Sequence, residues 1–387
     1  EHVIISCCKC FMVIYILKSV AIAGSGDGSI NILVRLFVYD VEWKKLLVNP
    51  DCTLENAIRV INQGALGTVF VVDHDLKLLG VVTDGDVRRG LLRHVTLDQP
   101  VFSVMNDQPR MAMRNIDVAE LITMMEEQSI RCVPIVDENQ CMIDVEISPY
   151  LRREAKNTNW VFLMAGGFGT RLKPLTDDCP KPLLKIGGRP VLENIIQQFK
   201  LNGFQKFFMS VHYKLNMVKS YFGTGEQFGV DIKYLEEEEP LGTGGSLGLL
   251  PEISQPLIVM NADVLTKVNF RQLLQFHLDS KAAVTMCVRE YGMQVPYGTV
   301  QIDGHVVTEI IEKPSYQFFI NAGIYVLSPD VVNGIQGKNN FDMPTLFNRL
   351  IQEGKTVVTF PIHEYWLDMG KMEDFKRAQI DISPFVS

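Results

Sequence analysis

A glycine turn that interrupts an apolar strand constrains the fold of this 387-residue chain more than any other feature. The apolar run Val161–Met164 predicts a buried strand, and Gly166-Gly-Phe-Gly-Thr-Arg follows it. Glycines let a backbone approach a ligand closely and point several N–H groups at one spot, which suits a phosphate chain. Arg171 adds a planar cation after the turn, and Lys181 adds a point charge within Pro180-Lys-Pro-Leu. The pattern therefore predicts an α/β fold that binds phosphate groups at this turn.

The combination of these two motifs resembles the nucleotide-binding signature of the sugar-1-phosphate nucleotidylyltransferases. The turn lacks the Gly-Lys-Ser/Thr of a P-loop, and Arg171 stands where a dinucleotide-binding fold would continue its helix. The resemblance implies catalytic roles for Arg171 and Lys181. It also implies nucleotide contacts along the turn, from Ala165, Gly166, Gly167, Gly169 and Thr170.

Predicted strands alternate with predicted helices from Trp160 onward, which indicates a Rossmann-like doubly wound mixed sheet. The resemblance extends over this whole region. Helices are predicted over Val191–Leu201 and Phe270–Asp279, and strands over Lys206–Val211, Ile232–Leu235, Leu257–Met260, Ala283–Val288, Gly298–Ile302 and Ala322–Leu327.

Two aspartates are the candidate metal ligands. Asp263 comes just after the predicted strand Leu257–Met260, where a doubly wound sheet binds its ligands, and Asp368 lies in Trp366-Leu-Asp-Met-Gly. Taken alone, either aspartate is typical of a loop or a cap. The resemblance implies that together they hold Mg²⁺. The family usually has Gly-Asp where this chain has Ala262-Asp263, so a small residue is kept.

Three later motifs match the family's sugar-phosphate contacts. The resemblance implies that Glu312 accepts hydrogen bonds from sugar hydroxyls and that Lys313 holds the sugar phosphate. Without the surrounding motifs, these two residues would be read as an exposed pair at a strand end. The other implied contacts are Tyr297, Gly298, Asn321 and Gly323.

The base is predicted from an acidic run that precedes a second glycine-rich segment. Glu239-Pro-Leu-Gly-Thr-Gly-Gly resembles the segment beside the base in guanylyltransferases that act on mannose-type sugars, which implicates Glu239, Gly242 and Thr243. Guanine presents two adjacent N–H donors, and one carboxylate could accept a hydrogen bond from each of them. GTP is therefore expected, with UTP, CTP and dTTP as alternatives. A solvated acidic face is the other interpretation of the run.

An internal repeat precedes the glycine turn. Thr53-Leu-Glu-Asn-Ala-Ile followed by Thr68-Val-Phe-Val-Val-Asp realigns with Asp117-Val-Ala-Glu-Leu-Ile followed by Cys132-Val-Pro-Ile-Val-Asp. The repeat resembles a pair of CBS domains, which implies an adenine nucleotide as a regulatory ligand. Thr83 and Asp84, at a strand-to-helix turn, could hold ribose hydroxyls. The alternative is that they only cap the helix.

Composition limits the remaining choices. The net charge of −8 argues against nucleic-acid binding, and the scattered cysteines suggest reduced thiols in the cytoplasm. Residues 1–37 are interpreted as an extension of unknown role. Their apolar stretch is too short to span a bilayer, although it also resembles a signal peptide. The CBS pair is expected over residues 38–156, the transferase over 160–387, and the whole chain in a homo-oligomer.

Three functions fit these patterns. The first is a Mg²⁺-dependent enzyme that makes a nucleotide sugar from a nucleoside triphosphate and a hexose 1-phosphate, such as glucosamine 1-phosphate. The second is a catalytically silent nucleotide sensor, and the third is a glycosyltransferase. The presence of Arg171, Lys181 and both aspartates favours the first.

Overall fold

The computed structural model describes residues 43–64, 66–114, 116–128, 130–148, 157–335, 337 and 339–381. The predicted extension over residues 1–37 lies outside them. The first module comprises strands β1 to β6 and helices α1 to α3. In chain order these are β1 (Leu47–Val48), α1 (Leu54–Gly64), β2 (Thr68–Val72), β3 (Leu78–Thr83), α2 (Asp84–Leu92), β4 (Ala112–Met113), α3 (Val118–Glu127), β5 (Cys132–Val136) and β6 (Met142–Ile147).

The first module has the repeat predicted from the sequence. Each copy forms a three-stranded sheet, β1-β2-β3 or β4-β5-β6, in which the first pair is parallel and the second antiparallel. The two copies share a core, because Phe70 of β2 packs in one cluster with Val136 of β5 and Met142 of β6. The N–H of Leu78 donates to the carbonyl of Gln140 across the same boundary. Burial between two similar units explains why the pattern occurs twice.

The second module begins with β7 (Asn157–Met164), three residues earlier than predicted. Asn157 and Asn159, which precede the predicted limit at residue 160, lie in this strand, and their side-chain amides donate to the carbonyls of Asn202 and Pro256. The helices that follow are α4 (Leu175–Asp178), α5 (Val191–Leu201), α6 (Leu215–Phe222), α7 (Gly242–Gly245), α8 (Phe270–Ser280), α9 (Pro329–Asn333), α10 (Met343–Gln352) and α11 (Met372–Asp381). The strands are β8 (Lys185–Ile186), β9 (Arg189–Pro190), β10 (Phe204–Val211), β11 (Asp231–Glu236), β12 (Leu257–Asn261), β13 (Val264–Thr266), β14 (Val284–Gln294), β15 (Thr299–Asp303), β16 (Val306–Ile311), β17 (Ser315–Leu327), β18 (Val357–Pro361) and β19 (Trp366–Asp368).

A seven-stranded mixed sheet organises the second module, in the order β11-β10-β7-β12-β17-β14-β18. Strand β17 runs antiparallel to both of its neighbours, and the other pairs are parallel. Both faces are covered: Phe207 packs against Phe199 of α5 on one face, while the next residue, Phe208, joins Phe162 and Phe347 on the other. This burial on both sides produces the continuous apolar runs in the sequence and confirms the predicted α/β class.

One predicted strand has a different role. The segment predicted as a sheet strand over Gly298–Ile302 forms β15, which pairs only with β16 in a separate two-stranded sheet. Strands β14 and β17 extend past the main sheet and pair with each other as far as Gln294 and Ser315. The result is a projecting arm, and its alternating apolar residues remain exposed, including Val300 and Ile310.

Candidate active site

The glycine turn at the end of β7 is shaped by its own sequence. Gly169 has φ of 65°, in the left-handed region, and begins a short 3-10 turn over Thr170–Leu172. A Cβ at this position would lie 2.8 Å from Thr176 Cγ2 and 3.3 Å from Lys181 Cβ. The Thr176 hydroxyl donates to the Gly169 carbonyl at 2.9 Å. Only glycine fits here, and the close approach brings Lys181 next to the turn.

Lys181 and Asp263 meet at the ends of two different elements. Lys181 begins a 3-10 turn, and Asp263 follows β12, the parallel neighbour of β7. Lys181 Nζ lies 2.5 Å from Asp263 Oδ2, and the two side chains are 15% and 28% exposed. Asp263 Oδ1 is buried and, among the described residues, has no hydrogen-bond partner. A buried carboxylate oxygen without a donor is costly, so this position suits a ligand that supplies positive charge.

Asp368 is brought to Asp263 by a short antiparallel ladder that the sequence did not predict. Strands β13 and β19 pair Val264 with Asp368, and the N–H of Met369 donates to the Asp263 carbonyl at 3.0 Å. Burial raises the pKa of the Asp368 carboxyl, and the negative charge of Asp263 raises it further. Lys181 and Arg171 act in the opposite direction. The other predicted carboxylate and both predicted cations therefore all act electrostatically on Asp368.

The residues present fit a hard divalent cation. The two carboxylates are neighbours, and one of them carries the unpartnered oxygen Asp263 Oδ1. Burial, together with the like charge of Asp263, raises the pKa of Asp368, which a bound cation would reverse. Oxygen donors of this type are those preferred by Mg²⁺. Asp263 and Asp368 are the residues that would hold it.

The predicted sugar contacts separate into two groups. Asn321 and Gly323 lie in β17 beside β12, where the Asn321 side chain accepts from the Gly323 N–H at 2.9 Å. Trp366 of β19 donates through Nε1 to the carbonyl of Ala322 at 2.9 Å, which ties this part of β17 to the Asp368 strand. Thus the Asn-Ala-Gly motif lies next to the carboxylate pair.

The second group lies within the projecting arm, where the β14–β17 pairing ends and the β15–β16 sheet begins. Gly298 and Glu312 face each other there: a Cβ on Gly298 would be 3.0 Å from Glu312 Oε2. Lys313 has a φ of 45°, and its carbonyl accepts from Gln294 at 3.4 Å. Tyr297 is 74% exposed. The structure groups these four predicted contacts with one another, and their role toward a sugar phosphate stays a prediction.

The acidic run contains a carboxylate that sequence reasoning missed. Glu239 is exposed, whereas Glu237 lies against the glycine turn, with Oε1 2.8 Å from the Cβ position of Gly166. Glu237 also accepts from the Ser210 hydroxyl and, at 3.1 Å, from the Leu241 N–H. The run of four glutamates gave no signal to separate one from another, since only the fold brings Glu237 to the turn.

The second glycine segment is held by Asp342. Gly242 has φ of 73°, and the Thr243 N–H donates to Asp342 Oδ1 at 3.1 Å. The Thr243 hydroxyl accepts from the Met343 N–H at 3.0 Å. These bonds fix the segment against the start of α10, while nucleotide contacts from Gly242 and Thr243 stay a prediction.

Thr83 and Asp84 both have partners within the protein. The Thr83 hydroxyl accepts from the Asp86 N–H, and Asp86 in return accepts from the Thr83 N–H at 2.8 Å, a reciprocal cap of α2. Thr83 therefore caps α2, a role that is compatible with a nucleotide contact. Asp84 instead contacts Arg88 and, at 3.1 Å, His363 of the transferase module. Nucleotide binding by this pair stays a prediction.

Comparisons with known proteins agree with both modules. A family model described as "Nucleotidyl transferase" matches residues 161–383, and a CBS-domain model matches residues 38–93 and 101–143. The chain is 34% identical over 224 residues to the mannose-1-phosphate guanyltransferase of Candida albicans, covering 55% of this chain and 61% of that protein. It is 34% identical over 229 residues to the mannose-1-phosphate guanylyltransferase of Mycobacterium tuberculosis, covering 57% and 63%. The chain thus spans about three fifths of the length of these curated relatives.

Among solved structures, HddC from Yersinia pseudotuberculosis is 27% identical, with a TM-score of 0.47, and the match covers 58% of this chain and all of that one. No helix within the described residues is both long and apolar enough to cross a membrane.

Proposed function

The chain belongs to the nucleotidyl transferase family, and from this premise we propose that it transfers GMP from GTP to a hexose 1-phosphate and releases pyrophosphate. The observation that carries the proposal is the convergence of Lys181, Asp263 and Asp368 beside the glycine turn. Transfer of a nucleotidyl group to a sugar phosphate requires a turn that binds phosphate, a cation and two carboxylates.

The reaction follows from these positions. An oxygen of the sugar phosphate attacks the α-phosphorus of the nucleotide, the bond to the bridging oxygen breaks, and pyrophosphate leaves with the electron pair. Arg171, exposed at the turn, would stabilise the charge that develops on the leaving group, and Lys181 would hold the α-phosphate. Bound Mg²⁺ would neutralise phosphate charge and polarise the α-phosphate, held by Asp263 and Asp368. No covalent intermediate with the protein is required.

Guanine is the proposed base, and the contacts of Glu237 support a position for it. A carboxylate next to Gly166 can accept the paired N–H groups of guanine, whereas uracil and thymine offer one ring N–H between two carbonyls. Glu239, the residue predicted from the sequence, remains a candidate and is the more exposed of the two. Similarity to the mannose-1-phosphate guanylyltransferases also supports GTP.

The sugar is proposed from the order of the modules. A CBS pair ahead of the transferase resembles the glucosamine-1-phosphate guanylyltransferase of legionaminic acid synthesis in bacteria, so glucosamine 1-phosphate is the first acceptor to test. Mannose 1-phosphate is the second, because the curated relatives act on it by name. Asn321 and Gly323 would contact the sugar beside the carboxylate pair.

Further proposals concern the setting of the reaction. We propose module limits of 38–156 for the CBS pair and, with the start of β7 included, 157–387 for the transferase, together with a cytoplasmic homo-oligomer and an adenine nucleotide as ligand of the CBS pair. The net charge of −8 supports small phosphorylated substrates rather than nucleic acid.

A pyrophosphate-release screen tests the proposed function. The full chain is incubated with Mg²⁺, each of four nucleoside triphosphates and a panel of hexose 1-phosphates. The proposal expects release that requires a sugar phosphate and is fastest with GTP. Release of a nucleoside diphosphate instead would indicate a glycosyltransferase, and no turnover with any pair would favour a silent sensor.

A further inference from the structure

Arg88 belongs to the first module, but its side chain is buried against the second module. The residue is on α2 and is 3% exposed. Its guanidinium lies 2.7 Å from Glu364 Oε1, donates to the Pro361 carbonyl, and stacks over Phe360 at 3.8 Å from the ring centroid. Phe360 and Pro361 end β18, and Glu364 follows in the connection to β19.

The guanidinium is balanced by charges from both modules. Asp84, one turn earlier on α2, lies 2.6 Å from Arg88 Nε, and its other oxygen contacts His363 at 3.1 Å. Burial raises the pKa of Asp84 and of Glu364, but the Arg88 guanidinium and the His363 ring together outweigh burial and hold both pKa values below their ordinary range. Asp84, His363 and Glu364 lie close enough together to hold a metal ion, but Arg88 already supplies the positive charge there.

Arg88 thus clamps the segment Phe360–Glu364, and this clamped segment leads directly to the candidate active site. The transferase holds it from its own side as well: Arg289 donates to the Glu364 carbonyl at 2.8 Å, and the Lys267 N–H donates to the Tyr365 carbonyl at 3.0 Å. The next residues, Trp366–Asp368, form β19 against β13. A shift at Glu364 therefore moves a strand of three residues that ends in Asp368.

From this geometry we propose that Arg88 is a positioning residue: the first repeat of the CBS pair fixes the β18–β19 connection and thereby places Asp368 opposite Asp263. The transferase site is then incomplete without α2 of the neighbouring module. This proposal rests on the proposed function only in assuming that Asp368 serves the reaction. Through the same contacts, a ligand bound to the CBS pair could change the position of Asp368.

Binding of Mn²⁺, followed by electron paramagnetic resonance, tests this in the full chain without turnover. Arg88→Met keeps most of the side-chain volume but removes the guanidinium, and we expect it to raise the dissociation constant for Mn²⁺ roughly 2- to 30-fold. KM for GTP should change less. Arg89→Met is the matched control, because Arg89 lies next in α2, is 68% exposed and pairs with Asp86, three residues earlier on the same helix. Equal Mn²⁺ affinity in folded Arg88→Met and Arg89→Met would overturn the proposal.

Hydrogen exchange of the wild type tests the proposal even if Arg88→Met folds poorly. Because coupling is reciprocal, Mn²⁺ should slow amide exchange in Arg88–Leu92 as well as in Trp366–Asp368 of the wild type. Protection confined to Trp366–Asp368 would contradict the proposal. Glu364→Gln, which keeps an acceptor for Arg88, should give a smaller loss of affinity than Arg88→Met, and an equal or larger loss would also count against it.

These measurements separate two kinds of failure. If the wild type binds no Mn²⁺, the assignment of Asp263 and Asp368 as metal ligands fails. The proposed role of Arg88 is then tested by hydrogen exchange without metal. Arg88→Met or Glu364→Gln should still speed exchange across Trp366–Asp368, whereas a change confined to residues 361–364 would overturn the clamp alone.

Discussion

Replacement of Asp263 by Asn separates the catalytic role of this residue from its structural one. Asn has the same shape, so no cavity forms. The change removes the partner of Lys181, an ion pair whose side chains are 15% and 28% exposed, but it also removes a buried negative charge beside Asp368. Loss of the charge pair costs stability, while removal of the like charge beside Asp368 offsets part of that cost. We therefore expect the free energy of unfolding to change by no more than about 1 kcal/mol.

Activity should respond very differently. A neutral amide cannot replace a charged ligand of Mg²⁺, so kcat for pyrophosphate release should fall by roughly 10²–10³ or more. Urea unfolding and steady-state turnover on the same preparation provide both numbers, and Asp231→Asn, at an exposed aspartate that begins β11, is the control. Turnover within tenfold of the wild type would refute the metal assignment. A loss of several kcal/mol in stability would show that Asp263 is mainly structural.

Three other predictions follow from the same geometry. Arg171→Ala should lower kcat by roughly 10²–10³ with a smaller effect on substrate binding, and near-full turnover would remove Arg171 from the reaction. Glu237→Gln should reduce kcat/KM for GTP more than kcat/KM for UTP, and this difference should be larger than the one caused by Glu239→Gln. If both variants lose activity equally with the two nucleotides, neither residue is the base contact. Burial lowers the pKa of His277 to about 4, so the folded state holds this ring neutral: its contribution is complete above the unfolded pKa of about 6.5 and is lost as the pH falls toward 4. Urea unfolding should therefore show that His277→Gln abolishes about 2 kcal/mol of the stability lost between pH 7.5 and pH 5, and an unchanged pH dependence would contradict this.

Six of the seven strands of the main sheet in the second module were predicted, because burial on two faces leaves apolar runs. Val191–Leu201 begins and ends as predicted, and Leu257–Met260 differs from β12 by one residue. Strand ends were less predictable where pairing continues past the core. Strand β17 starts at Ser315 instead of Ala322, since its first residues pair with β14 in the exposed arm, where no buried face marks them.

The candidate site was predictable in its residues and not in its assembly. The sequence identified Lys181, Asp263 and Asp368, but gave no sign of β19, whose three residues are too short for any periodicity. Nor could it foresee that Glu237 lies against Gly166, because that contact joins separate strands.

Asp84 shows the same limit most clearly. The sequence placed it at a helix start, which is correct, but its partners include His363, far away along the chain. Local patterns report what a residue does for its own element, whereas a buried charge between modules depends on tertiary packing.

GMP transfer is followed most directly by ³¹P nuclear magnetic resonance. The reaction contains the full chain, GTP, Mg²⁺ and a hexose 1-phosphate that supports turnover in the screen. We expect two coupled diphosphate signals of a GDP-sugar to replace the sugar-phosphate resonance, with pyrophosphate formed in equal amount. Formation of GDP and inorganic phosphate with the sugar phosphate unconsumed, or no change in any resonance, would contradict it.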